Sequence, residues 1–171
     1  DPLTKRTPIL TKIDNFIKSS VKGAGFSVKA YNLVRIRLDM ALTEIPKTVV
    51  PKGKVRIWYI YNMGIIAKSS DKTVAFDLAG NYFYPRLSDF TKYIDILVIT
   101  HFHNDHFNSG VVREALKNGV TVIIPGDTMS FKDGEFLQDP NGLPALDLIR
   151  NKYGINSDNL ISLKPLQKTT I

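Results

Sequence analysis

All three histidines of the chain fall between positions 101 and 106, in the string Thr100-His101-Phe102-His103-Asn104-Asp105-His106. Imidazole and carboxylate are the donors that zinc, manganese and iron accept where no thiolate is available, and this chain has no Cys. In an extended or turning loop His101 and His103 point to the same side and can reach one ion. Asp105 and His106 then emerge where the backbone bends into the next helix, and can face a second. Two divalent ions about 3.5–4 Å apart can share a bridging hydroxide and clamp a developing oxyanion, which is the logic of two-metal hydrolysis. A lone histidine reads as a turn residue or a helix cap. Three of them with a carboxylate at the end of an apolar run, and none elsewhere, point to metal binding.

Such a loop needs a rigid frame. The run Ile94-Asp95-Ile96-Leu97-Val98-Ile99 is nearly all apolar, as a strand covered on both faces requires. The histidines leave its C-terminal end, where ligand sites of α/β proteins gather. Ser109 or Asn108 can cap a following helix with a stripe of Val111, Val112, Ala115 and Leu116, ended by Gly119. Residues 120–124 read as another buried strand, stopped by Pro125-Gly126-Asp127. Pro144 suits the first turn of a helix running to Tyr153 with Gly154 as its stop, and residues 160–163 form a last short strand. Upstream, residues 54–60, 65–67 and 73–78 predict a meander of short antiparallel strands, with turns at Asn62-Met63-Gly64 and at Ser69-Ser70-Asp71-Lys72. Residues 82–89 form a loop or short helical stretch. Ile9, Leu10, Ile13, Phe16, Ile17 and Val21 recur at three-and-four spacing and predict a helix that Gly23 and Gly25 end. Residues 30–42 give a second helix, with a strand as the alternative, and Pro46 and Pro51 bracket a linker. Residues 1–50 therefore read as an N-terminal helical extension, and residues 51–171 as a layered α/β unit.

The 171 residues fit one compact domain, and 43% hydrophobic with 23% charged residues excludes disorder. No apolar run is long enough to span a bilayer. The absence of Cys excludes a disulfide scaffold and agrees with a cytoplasmic setting. The net charge of +7 comes from scattered basic residues, a solvated surface that permits weak nucleic-acid contact. The opening Asp1-Pro2-Leu3-Thr4 lacks the charged-then-apolar pattern of a secretory signal and reads as the start of a processed or partial polypeptide. No Gly-rich phosphate loop and no Ser or Cys nucleophile motif is present.

The string His101-x-His103-x-Asp105-His106, after the strand at 94–100, resembles the hallmark of the metallo-β-lactamase superfamily. A weaker match is Asp77 in Val74-Ala75-Phe76-Asp77-Leu78, and the hairpin from Trp58 through Gly64 to Lys68 is similar to the family's opening strands. The resemblance covers residues 54–165. It implies an αββα sandwich of which this chain holds only the first half, a mixed sheet with flanking helices. It implies that His101 and His103 bind the first metal and Asp105 and His106 the second, with two zinc ions per complete site and manganese or iron as alternatives. Asp105 would also be catalytic, orienting the metal-bound hydroxide or taking its proton, and Asp77 would buttress the loop from behind. The implied activity is metal-dependent hydrolysis of a small-molecule ester or a phosphodiester, nucleic acid included.

Two departures from the family pattern carry expectations. Family members often place Gly two positions after the motif; here Asn108 stands there, a residue that can still adopt a left-handed conformation. The family also completes its site with a further His, a bridging Asp and a final His. No His follows His106, and Asp127, Asp133, Asp139, Asp147 and Asp158 fit no matching pattern. The site thus calls for a C-terminal half or a second chain. The competing reading is a non-catalytic metal-binding or assembly subunit that lends half a site to a partner.

Overall fold

The computed structural model describes residues 28–80, 83–164 and 167–169; the helix expected over residues 9–21 lies outside them. The first described element is helix α1, Val28–Lys47, so the helical alternative holds for residues 30–42. Pro46 sits in its last turn and does not open a linker, a correction with a local cause. Leu38, Ala41 and Ile45 are buried at three-and-four spacing, so the last turn is anchored in the core. Its carbonyls are also satisfied: the Lys68 ammonium donates to the Ile45 carbonyl at 2.8 Å, and the Thr48 amide to that of Glu44 at 3.0 Å. Leu33, Ile36 and Met40, counted in the same apolar pattern, are exposed.

Strands β1 (Arg56–Tyr59), β2 (Ile65–Lys68) and β3 (Thr73–Phe76) form the expected antiparallel meander. Helix α2 (Tyr84–Asp89) and a 3-10 turn (Phe90–Lys92) lead into β4 (Ile96–Val98). β4 pairs parallel with β3, then with β5 (Thr121–Pro125), which pairs parallel with β9 (Leu160–Leu163). The result is a six-stranded mixed sheet of order β1-β2-β3-β4-β5-β9, within an α/β architecture. The parallel links run through α3 (Ser109–Lys117) and through α4 (Ala145–Tyr153), whose stop is Gly154 in a left-handed conformation, φ 62°.

The two faces of this sheet differ. One row in register, Trp58, Ile66, Ala75, Leu97, Val122 and Leu160, is buried. The opposite row, Tyr59, Ile65, Phe76, Val98, Ile123 and Ile161, crosses the same six strands. It is equally apolar, yet each of its side chains remains in partial or full contact with solvent.

Between β5 and α4 lies an unforeseen hairpin. β6 (Thr128–Lys132) and β7 (Glu135–Gln138) are joined by Asp133 and Gly134 at φ 53° and 91°, and β8 (Leu143–Pro144) pairs with β6. An Asp-Gly pair with both residues at positive φ is the favoured two-residue turn between antiparallel strands.

Asn108 is the N-cap of α3. Its Oδ1 accepts from the Gly110 and Val111 amides at 3.0 and 3.1 Å. The backbone there is extended, φ −136° and ψ 114°, and not left-handed, because a capping residue must leave the helix before the first turn begins. Asn108→Ala is expected to lower stability by about 1 kcal/mol, read as a shift in the urea midpoint with unchanged slope.

Candidate metal centre

β3 and β4 run parallel, so their C-terminal ends share one edge of the sheet, and Asp77 and Thr100 meet there. Asp77 is 5% exposed and stands at φ 50°, a conformation that Asp and Asn tolerate better than most residues. Its Oδ1 accepts from the Thr100 amide at 2.8 Å. Its Oδ2 accepts from the Thr100 hydroxyl at 2.7 Å and lies 2.9 Å from His106 Nδ1. The Thr100 hydroxyl is in turn 3.1 Å from His101 Nδ1. With its proton directed to Asp77, that oxygen is left to accept. The network therefore assigns a proton to Nδ1 of both His101 and His106 and turns each Nε2 outward as the nitrogen available to a metal.

Those two nitrogens face further donors. His101 Nε2 is 3.0 Å from His103 Nδ1, and His106 Nε2 is 3.6 Å from Asp105 Oδ2. Two ligands at about 2.0–2.2 Å from one tetrahedral zinc stand about 3.4 Å apart, so each pair spans one edge of such a shell. The chemistry of the donors fits a metal in the same way, with imidazoles oriented from behind by a carboxylate and a hydroxyl. The rings of His101 and His106 lie 3.7 Å apart, which brings the two pairs side by side. Among the described residues, however, no three His, Asp or Glu side chains converge on a single ion position. The cluster is two donor pairs, not a closed cage. Partial burial, and then the neighbouring His106 and His103 imidazoles, hold His101 below the usual imidazole pKa, against the pull of Asp77 and Asp105. A neutral ring keeps its lone pair free for a metal.

The residues between the histidines form the underside of the loop. Phe102 and Phe107 are 4% and 7% exposed and meet at 5.4 Å between ring centroids. Both pack on Phe136 of β7, at 5.1 and 5.5 Å, and Phe131 and Tyr153 extend the cluster. The hairpin is thereby fastened to the histidine loop and overhangs it. A cavity of about 360 Å³ opens between them, lined by His101, His103, Asp127, Leu137 and Gln138 among others. A second, of about 270 Å³, is lined by Phe102, His103, Asn104, Asp105 and Glu135.

Sequence reasoning missed Asp127, Gln138 and the aromatic anchors. Asp127 had a usable signal. It follows β5, the parallel neighbour of β4, so the two strand ends open onto one edge. Gln138 and Phe136 became visible only with the hairpin.

No protein family model matches the chain, and no curated protein matches it. Among the described residues no helix is long and apolar enough to cross a membrane. The class defined by fold and site is an α/β protein with a mixed sheet and a histidine-carboxylate cluster at the C-terminal edge of its parallel strands.

Proposed function

We propose that this protein is a metal-dependent hydrolase of metallo-β-lactamase-like fold, and that residues 51–171 are the first half of its αββα sandwich. One observation carries the reading: His101 with His103, and His106 with Asp105, form adjacent donor pairs, and the Nδ1 atoms of His101 and His106 are tied from behind to Thr100 and Asp77. The apolar, solvent-facing row of the sheet supports the second half of the proposal, since a contiguous apolar face of this kind marks a surface meant to be covered. The layer that covers it, from a C-terminal half or a second chain, would bring the donors that the two pairs lack. Zinc suits the donor set best, with manganese or iron as alternatives.

When bound, such ions lower the pKa of water and polarise the substrate's electrophilic centre. Around that chemistry the chain has separate tasks. His101, His103, Asp105 and His106 would hold the ions. Asp77 and Thr100 fix the imidazole tautomers. Asp105 turns Oδ2 toward His106 and keeps a second carboxylate oxygen to accept a proton from the attacking water. The substrate is a small ester or a phosphodiester, with nucleic acid in the latter class.

The test is metal content and turnover of the complete gene product on bis(p-nitrophenyl) phosphate and on p-nitrophenyl butyrate. His103→Ala is expected to abolish turnover, at least about 10³-fold given what a metal ion contributes. Turnover that survives this substitution refutes the proposal. Zinc retention without any turnover would favour a non-catalytic subunit, the role suggested by the absence of three convergent donors among the described residues.

A further inference from the structure

We infer that the site's substrate is an uncharged ester with an apolar acyl group, and not a phosphodiester. The inference rests on the hydrolase reading above and adds the substrate class. The chain carries a net charge of +7, yet among the described residues neither cavity beside the histidines is lined by a Lys or an Arg. Their charged side chains beyond the histidine-carboxylate cluster are Asp127 and Glu135. A phosphodiester keeps its negative charge at neutral pH, and proteins hold it with cationic forks or ammonium groups. The proposed ions would attract it, but beyond them the cavities offer it only two opposing carboxylates. An uncharged ester meets no such opposition.

The remaining lining fits an acyl chain. Phe102, Met129, Phe136 and Leu137 supply apolar surface in the larger cavity. Leu137 is 45% exposed, an aliphatic side chain left in water on the site side of the hairpin. Gln138 offers the matching polar contact. Its amide nitrogen lies 3.5 Å from Asp127 Oδ2, a separation too long for a strong hydrogen bond, so it has donor capacity for an ester oxygen. In the reaction, water adds to the carbonyl carbon and the acyl C–O bond breaks. The alcohol oxygen takes the proton and a carboxylic acid is released, with no change in oxidation state.

The test uses the full chain, isotope-labelled and without added metal, titrated in separate NMR experiments with N-phenylbutyramide and with bis(p-nitrophenyl) phosphate. The amide is an uncharged, slowly hydrolysed analogue of a butyrate ester. It is expected to shift the Met129 and Leu137 methyl signals and the Gln138 side-chain amide, and the diester is not. Leu137→Ser should weaken amide binding at least about threefold, consistent with the loss of apolar contact. Asp127→Asn combined with Glu135→Gln should strengthen diester binding about three- to tenfold by removing two nearby like charges, and change amide binding less. Tighter binding of the diester than of the amide by the unsubstituted protein would overturn the inference, as would no gain in the double variant. Zinc retention by the complete gene product separates the two levels. Amide binding by the chain with neither zinc retention nor turnover by the complete gene product overturns the hydrolase reading and leaves the cavity's preference for an uncharged ligand standing. Zinc retention with the diester preferred overturns the substrate class alone.

Discussion

Replacing Asp77 by Ala is expected to lower stability by about 3–5 kcal/mol, the usual consequence of stripping a buried, hydrogen-bonded charge from its partners. The carboxylate accepts from the Thr100 amide and hydroxyl and pairs with His106 Nδ1. Its loss leaves these donors unmatched at a position 5% exposed. The backbone adds to the cost, since Asp77 stands at φ 50°, where Ala is less at ease than Asp or Asn. Asp77→Asn separates the contributions. It keeps the shape, the tolerated φ and one acceptor for the Thr100 amide, but turns an NH2 group toward the Thr100 hydroxyl and His106. About half the loss is expected from Asn. Urea denaturation measures both variants. If Asp77→Ala costs less than about 1 kcal/mol, the carboxylate does not hold the loop. The Asn variant should also weaken zinc retention in the complete protein, because it removes the anion that makes His106 a better ligand.

The order of elements from β1 to β5, and again over α4 and β9, was legible because each announces itself locally. β4 is a run of apolar residues, α3 has its cap and its stripe of Val111, Val112 and Ala115, and α4 has Pro144 before it and Gly154 after it. The histidine string was legible for the same reason, as residue type and spacing are written consecutively. What failed to show was tertiary. Phe102 and Phe107 look like spacers between ligands until Phe136, far along the chain, closes on both. Asp127 was one of several unassigned acids until the pairing of β5 with β4 brought their ends together. The hairpin from β6 to β7 had its turn written in Asp133-Gly134, but its strands are short and only partly alternate. Helix α1 shows the opposite error. Its apolar positions outnumber those facing the core, because Leu38, Ala41 and Ile45 alone suffice to bury one stripe.

Two neighbours on β4 put the covered-sheet proposal at risk. Leu97 is fully buried and Val98 lies in the apolar row on the other face. Leu97→Ala should destabilise residues 1–171 by about 2–5 kcal/mol, since its pocket is already closed. Val98→Asp should cost the same polypeptide about 1 kcal/mol or less, because a carboxylate there keeps its water. The complete gene product should respond differently. If a second layer packs on Tyr59, Ile65, Phe76, Val98, Ile123 and Ile161, the Val98→Asp carboxylate is driven into an apolar interface without a partner. The cost then rises above about 4 kcal/mol, and the donors brought by that layer lose their register with His101 and His106. Equal, small costs in both polypeptides would mean that nothing covers this face. The two donor pairs would then have to find their remaining ligands elsewhere.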